Sequence, residues 1–130
     1  MELTNKNVFV TGSSRGIGLV IARKLGSLVA NLVMNGRGQL GKELLDNFAG
    51  YGVKVLAISG DISSAQDAKR MVAEAIETLG SVDILVNNAG ITKDGMALRM
   101  TEEDFDRVLK VNLTGTFNMT QAVLKPMTKA

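Results

Sequence analysis

The sequence contains no cysteine, no histidine and no tryptophan, and it has one proline among its 130 residues. Without cysteine there is no disulfide and no thiolate nucleophile, and without histidine the usual general base and the usual zinc ligands are missing. We therefore expect no metal site. The sequence also lacks a run of about 18 apolar residues and an apolar N-terminal stretch of signal-peptide length, which favours a cytoplasmic protein without a membrane partner.

An excess of one charge is also missing. Fifteen Lys and Arg residues against thirteen Asp and Glu residues give a net charge of +2, and both signs are spread along the chain. Proteins that bind a nucleic-acid backbone carry a basic tract, so we expect no nucleic-acid partner. The hydrophobic content of 45% and the chain length predict one globular domain with a core of its own.

Short apolar runs alternate with segments of helical periodicity along the whole chain, which is typical of βαβ units around a buried parallel sheet. With right-handed crossovers, four such strands take the spatial order 3-2-1-4 of an α/β, Rossmann-type doubly wound sheet that lacks its later strands. The predicted strands are 7–11, 31–35, 53–58 and 82–86, and the predicted helices are 16–28, 40–48, 64–79 and a long one that begins at Thr101.

The same pattern predicts helix ends and helix faces. Ser63 or Ser64 is expected to cap the third helix, because a side-chain oxygen there can accept a hydrogen bond from the first turn. In the first helix Ile17, Ile21 and Leu25 repeat every four residues and are expected to face the sheet.

A glycine-rich turn joins the first strand to the first helix. Gly12, Gly16 and Gly18 remove side chains where a diphosphate needs close backbone approach, and the N–H groups that begin the helix then face the anion. Their spacing, Gly-x-x-x-Gly-x-Gly, differs from the commoner Gly-x-Gly-x-x-Gly dinucleotide fingerprint, so an ordinary glycine-rich turn is the alternative. The turn residues predicted to bind the cofactor are Gly12, Ser13, Ser14, Arg15, Gly16, Ile17 and Gly18.

Two further segments follow strands, and the carboxyl ends of parallel strands converge on one crevice. Asp61 is placed to accept a hydrogen bond from an adenine amino group while Ile62 covers the ring, although an Asx-type turn or a helix cap explains Asp61 nearly as well. Small residues after the fourth strand let the backbone approach a ligand, and Asn87 is expected to brace neighbouring strands. The cofactor residues predicted in this segment are Asn88, Ala89 and Gly90.

The end of the second strand indicates which dinucleotide is bound. An acidic side chain there usually accepts hydrogen bonds from the ribose hydroxyls of NAD, but this chain has Asn35-Gly36-Arg37. Arg37 and Arg15 together can hold a 2′-phosphate through charge-assisted bonds, which favours NADPH/NADP+. The alternatives are a solvated loop residue for Arg37 and a surface salt bridge for Arg15.

The last helix carries a polar residue and a broad apolar surface. Asn112 lies at helical spacing from Val108 and Leu109, so an amide interrupts an inward-facing row and needs partners there; a capping or kink-related amide is the alternative. The other apolar residues cover more than one face, as expected of a helix buried on the sheet and against another subunit. They are Phe105, Val108, Leu113, Phe117 and Leu124.

These motifs together resemble the short-chain dehydrogenase/reductase family, and within it the bacterial 3-oxoacyl-[acyl-carrier-protein] reductases. The resemblance spans almost the whole chain. It implies a Rossmann fold, NADPH as hydride donor, reduction of a carrier-protein-bound 3-oxoacyl thioester in fatty-acid synthesis, and a homotetramer. It also implies that Asn112 belongs to a catalytic tetrad and helps to hold a water. The segments that carry the resemblance are 11–18, Asp61, 87–94 and 111–115.

The chain departs from the family in lacking the Ser and the Tyr-x-x-x-Lys pair that complete the tetrad. Its one tyrosine, Tyr51, precedes Lys54 by three positions instead of four and lies beside glycines at the wrong end of the sheet, so we predict a surface or packing role. We therefore expect residues 1–130 to form an NADP(H)-binding domain truncated after the helix that carries Asn112, and expect this polypeptide alone to be inactive. An inactive dinucleotide-binding fragment, a family member with another carbonyl substrate and an interaction protein with an idle cofactor site remain alternatives.

Overall fold

The computed structural model describes residues 3–89 and 101–129. Strands and helices alternate as the sequence predicts, and the bounds of several differ. The elements are β1 (Asn7–Val10), α1 (Gly16–Ser27), β2 (Asn31–Gly36), α2 (Lys42–Asp46), β3 (Val55–Ser59), α3 (Ala65–Leu79), β4 (Ile84–Val86), α4 (Glu102–Leu109), a π-helical turn (Lys110–Thr114) and α5 (Gly115–Lys129).

All the strand pairs in the described chain are parallel, and the order across the sheet is β3-β2-β1-β4, which confirms the predicted order. In register, Val10 lies between Met34 of β2 and Val86 of β4. The carboxyl ends of these strands therefore meet at one edge of the sheet, where the predicted site residues are found.

Both faces of the sheet are covered, as a doubly wound sheet requires. Phe9 and Val33 point to the face covered by α3 and α5, where they pack with residues such as Met71. Val8 and Leu32 point to the opposite face, covered by α1 and α2. The residues of β1 are entirely buried on both faces, so the strand that leads into the glycine-rich turn is a rigid support.

The inward face of α1 agrees in part with the prediction. Ile21 and Leu25 are partly buried and pack against the core, as expected. Gly18, Ala22 and Gly26 are its buried residues, whereas Ile17 is 75% exposed. The helix lies too close to its neighbours for larger side chains, because a Cβ at Gly26 would come within 2.9 Å of the Tyr51 ring. Small residues therefore occupy the positions where α1 lies closest to its neighbours.

Tyr51 has the packing role predicted from the sequence. Its ring meets that of Phe48 edge-on, with centroids 6.2 Å apart. The adjoining helix α2 is shorter than predicted and ends at Asp46. The Asn47 amide donates to the carbonyls of Glu43 and Leu44, at 3.4 and 3.1 Å, and so competes with continuation of the helix.

The fourth strand is also shorter than predicted, because the Asp83 side chain accepts a hydrogen bond from β1 that a backbone carbonyl would accept if the strand were longer. The Asp83 carboxylate accepts from the Asn7 N–H at 2.8 Å, while its own N–H donates to the Asn7 carbonyl at 2.9 Å. Strand pairing in the regular pattern begins only at Ile84.

Helix caps follow the sequence signals. The Ser64 hydroxyl accepts from the Asp67 N–H, and Gly80 ends α3 in the left-handed conformation at φ +97°. Thr101 and Asp104 form a reciprocal capping box at the start of α4.

The predicted long last helix is interrupted by the π-helical turn. The Gly115 N–H donates to the Lys110 carbonyl, five residues back, so this turn contains one residue more than an α-helical turn. Across the described part of the chain, no helix combines the length and the apolar character needed to span a bilayer.

Candidate functional site

The carboxyl ends of the strands open into a cleft of about 1070 Å³, at the upper end of the range for ligand-binding sites. Four segments distant in sequence converge there, as expected from the topology. The predicted site residues that line the cleft are Gly12, Ser14, Arg15, Gly16, Ile17, Gly18, Arg37, Ile62, Asn88 and Ala89. Gly90, also predicted, lies outside the described residues.

Position 12 requires glycine because of its backbone conformation and because of its close neighbours. Its φ of +61° lies in the left-handed region, and a Cβ there would come within 2.7 Å of the Ala89 Cα. Its N–H donates to Asn35 Oδ1 at 3.1 Å, and its carbonyl accepts from Asn88 Nδ2 at 3.1 Å. The turn is therefore held from β2 and from the segment after β4.

Helix α1 begins directly against this turn. A Cβ at Gly18 would fall on the Gly12 carbonyl oxygen and on Asn88 Nδ2, so only glycine permits this approach. The first turn of α1 contains no acidic residue, and the Arg15 side chain makes no capping hydrogen bond. The N–H groups and the positive end of the helix dipole at the cleft favour an anion such as a pyrophosphate.

Ser13, predicted among the cofactor-binding residues, is not among the residues that line the cleft. It is fully buried, because its hydroxyl donates to the Val10 carbonyl at 2.7 Å and accepts from the Asn35 N–H at 2.9 Å. Ser13 therefore ties the turn to β1 and β2 from below.

Thr11 and Asn35 are organising residues to which the sequence analysis gave no role. The Thr11 hydroxyl accepts from the N–H groups of Asn88 and Ala89, at 3.0 and 2.9 Å. Asn35 is 2% exposed, and its amide also donates to the Ile58 carbonyl at 3.2 Å. The available signal was a polar residue at the end of a buried strand, a position that requires partners inside the protein.

Arg15, within the turn, and Arg37, after β2, are both exposed and line the cleft. Within the described residues neither forms an ion pair, since the salt bridges there join Arg70 to Asp67 and Glu74. Among these residues the surface salt bridge considered for Arg15 is therefore not found, and neither guanidinium group is held in an ion pair that a ligand would have to break.

Asp61 lies beside the cleft and takes the Asx-type geometry considered as an alternative. Its Oδ1 accepts from the Ser63 N–H at 2.9 Å and from the Ser63 hydroxyl at 2.7 Å. Partial burial raises the pKa of the Asp61 carboxyl, but the Ser63 hydrogen bonds and the charges of Arg37 and Lys110 outweigh it, so the pKa lies below 3.8. The carboxylate remains ionised, and Gly60 and Ile62 line the cleft in its place.

Ile62 is anchored by helix α5, through contacts that the sequence analysis missed. Asn118, which is 7% exposed, donates from Nδ2 to the Ile62 carbonyl at 3.0 Å. A Cβ at Gly115 would come within 2.6 Å of Ile62 Cδ1, so glycine there allows Ile62 to pack against the helix. The signal available was an asparagine among apolar positions of a helix.

Asn87 and Asn112 lie elsewhere than predicted. Asn87 braces β4 against helix α5 instead of against another strand, donating to Thr120 Oγ1 at 3.3 Å. Asn112 lies on the π-helical turn and is exposed, whereas its neighbour Val111 is 5% exposed and lines the cleft. The predicted inward-facing row is therefore not found at Asn112, and Leu109, which belongs to the same predicted row, is 44% exposed. The catalytic assignment of Asn112 stays a prediction.

Comparison with known proteins agrees with this geometry. The model of the short chain dehydrogenase family matches residues 6–130. The chain belongs to the short-chain dehydrogenase family. The family match includes the glycine-rich turn, both arginines and the helix that carries Asn112.

Curated relatives within the short-chain dehydrogenase family are reductases. The chain is 42% identical over 131 residues to the 3-oxoacyl-[acyl-carrier-protein] reductase FabG of Aquifex aeolicus, covering 99% of this chain and 53% of the relative. It is 41% identical over 125 residues to the reductase of the same name from Staphylococcus epidermidis, covering 95% and 51%. The chain thus spans about half the length of the curated relatives that it matches.

A solved short-chain dehydrogenase structure has the same fold. The 3-oxoacyl-[acyl-carrier protein] reductase from Brucella melitensis, determined in complex with NAD, superposes with a TM-score of 0.89 at 35% identity. The match covers 96% of this chain and 50% of that one. The predicted Rossmann-type fold is therefore confirmed.

Proposed function

We propose that this chain supplies the coenzyme-binding half of an NADPH-dependent reductase that converts 3-oxoacyl-[acyl-carrier-protein] to the 3-hydroxyacyl form in fatty-acid synthesis. The observation that carries the proposal is the turn from Gly12 to Gly18, where Gly12 and Gly18 allow close backbone approach and the first turn of α1 faces the cleft. The relatives named above give the substrate class.

A nicotinamide dinucleotide would lie along the cleft. The N-terminus of α1 would hold its pyrophosphate, Ile62 and the Asp61 turn would flank the adenine, and Ala89 would line the path towards the reacting ring. When bound, the coenzyme supplies a hydride. Asn112, on the π-helical turn, would help to order a water near the reacting carbonyl.

The preference for NADPH is supported by Arg15 and Arg37 and by the lack of an acidic residue at the end of β2. The Brucella melitensis protein holds NAD, so the preference of this chain needs its own test. Fluorescence titration should give tighter binding of NADPH than of NADH. Arg37→Gln should weaken NADPH binding about tenfold or more and leave NADH binding unchanged, because a charge-assisted bond to the 2′-phosphate is lost.

Arg23→Gln is the matched control, since Arg23 is an exposed arginine in the middle of α1. This control should leave binding of both coenzymes unchanged. Equal affinity of the unsubstituted protein for NADPH and NADH would refute the coenzyme assignment. Turnover of acetoacetyl thioester together with NADPH would support the substrate class, whereas turnover of only other carbonyl compounds would point to a different family activity.

The proposal includes a homotetramer in the cytoplasm that meets an acyl-carrier protein. Support for self-association comes from helices α4 and α5 and the turn between them, which expose a row of large apolar residues. Such a surface is normally covered by another subunit. The exposed residues are Leu109 (44%), Leu113 (68%), Phe117 (61%) and Leu124 (54%).

A further inference from the structure

Ser59, the last residue of β3, contacts the loop that carries Arg37. Its hydroxyl donates to the Gly38 carbonyl at 2.8 Å and lies 3.3 Å from the Arg37 carbonyl. The serine is exposed and does not line the cleft. Its contacts are thus made with the backbone of the loop and not with a ligand site.

The loop that carries Arg37 leaves the sheet after Gly36. Gly36, which precedes it, is fixed in the sheet, since its carbonyl accepts from the Gly60 N–H at 3.0 Å. Two residues later, a Cβ added at Gly38 would meet nothing within 4 Å. Among the described residues, the Ser59 hydroxyl is the hydrogen-bond donor that reaches the carbonyls of residues 37 and 38.

Ser59 is also contacted by helix α3. Its carbonyl accepts from Arg70 Nη2 at 2.8 Å, and Arg70 is aligned on α3 by Asp67 and Glu74, at 3.6 and 3.5 Å. A line of contacts therefore runs from α3 through Ser59 to the backbone at Arg37.

We infer that Ser59 is a positioning residue for coenzyme discrimination: its hydroxyl fixes the backbone from which Arg37 reaches the 2′-phosphate. The inference rests on the proposed NADPH preference and adds to it a residue that does not touch the coenzyme. A fixed backbone lowers the conformational entropy that Arg37 loses when it binds the phosphate. Loss of the hydroxyl should therefore weaken binding of the phosphorylated coenzyme alone.

The test compares Ser59→Ala with Ser59→Thr, which keeps the hydroxyl, in titrations with NADPH and NADH. Ser59→Ala should raise the Kd for NADPH about three- to tenfold, the range expected for one hydrogen bond, and leave the Kd for NADH unchanged. Ser59→Thr should retain the original ratio of the two Kd values. Ser27→Ala is the matched control, because Ser27 is also exposed and donates to a backbone carbonyl, at 2.6 Å, but at the far end of α1.

The outcomes separate the two proposals. If the unsubstituted protein prefers NADPH and Ser59→Ala keeps that preference, the role of Ser59 is refuted and the proposed function stands. Equal weakening of NADPH and NADH by Ser59→Ala would show a general structural role and would also refute the inference. If the unsubstituted protein has no preference, the coenzyme assignment and the role of Ser59 both fail.

Discussion

Replacing Gly18 by alanine should damage the coenzyme site although alanine favours helices. Gly18 lies inside α1 with ordinary helical geometry, so backbone conformation alone would make alanine an improvement of about 1 kcal/mol. The added methyl, however, would fall on the Gly12 carbonyl oxygen and on the Asn88 amide. Because the Gly12 oxygen is a backbone atom, no side-chain rotation relieves the clash with it.

The loss of stability in Gly18→Ala can be estimated from the displacement of α1 that the added methyl requires. The start of α1 would have to retreat by roughly 1 Å to restore normal contact distances, and overpacking of this kind costs about 1–3 kcal/mol. The Asn88–Gly12 hydrogen bond, 3.1 Å long, would weaken or break, which costs about 1 kcal/mol more. After the helical gain is subtracted, we expect a loss of about 1–3 kcal/mol, or a fall in Tm of about 4–12 °C.

Coenzyme binding should suffer with stability, because the N–H groups that would hold the pyrophosphate move with the helix. We expect the Kd for NADPH, measured by fluorescence at a temperature where the variant is folded, to rise at least about tenfold. Gly50→Ala is the control, since a Cβ at Gly50 meets nothing within 4 Å, its φ is not positive and Gly50 does not line the cleft. If Gly18→Ala behaves like Gly50→Ala in both measurements, the close approach of α1 to the turn is wrong.

Two further predictions concern strain and pH. Val29 follows α1 with φ +67°, a left-handed conformation that is costly for a β-branched residue. Val29→Gly should therefore raise the free energy of unfolding by about 0.5–1 kcal/mol in urea denaturation, whereas the control Val20→Gly, inside α1, should lower it by a similar amount. A loss of stability in Val29→Gly would contradict this reasoning. The pKa of Asp61 lies below 3.8 in the folded protein, so its stabilising contribution is present above that pH and is lost as the pH falls through the folded value. The free energy of unfolding should therefore decrease less steeply between about pH 5 and pH 3 in Asp61→Asn than in the unsubstituted protein, and identical slopes would count against the Ser63 and Arg37 interactions.

The sequence was sufficient for the strand order and for the position of the cleft. Buried apolar runs alternating with helical periods leave few topologies once crossovers are right-handed, and glycines at one strand end mark where a ligand meets backbone. The glycine pattern was interpreted as room for a ligand, and the structure shows that Gly18 also serves the close approach of α1 to Gly12.

The ends of α2 and β4 and the inward face of α1 could not be predicted from hydrophobic periodicity, because side-chain hydrogen bonds and close packing determine them. The Asn47 amide ends α2 early, and the Asp83 carboxylate takes a backbone partner that would have extended β4. On α1 the neighbours of Gly18 and Gly26 leave no room for larger side chains at those positions, and Ile17, predicted to face the sheet, lies at the surface. In each case a local hydrogen bond or a volume limit, visible only in three dimensions, prevails over the pattern.

The same argument explains why sequence motifs identify only part of this site. Residues that face the cleft are recognisable because glycine, arginine and small residues suit an anion, but the shape of the turn is fixed from behind by Thr11, Ser13 and Asn35. Every buried side-chain nitrogen and oxygen of the described residues has a hydrogen-bond partner, so these polar groups are fully engaged with the protein itself. A change such as Ser13→Ala would leave the Asn35 N–H without its partner and shift the Gly12 backbone, and its effect on coenzyme binding would arise without any lost ligand contact. Binding at this site is therefore a property of the buried network as much as of the residues that line the cleft.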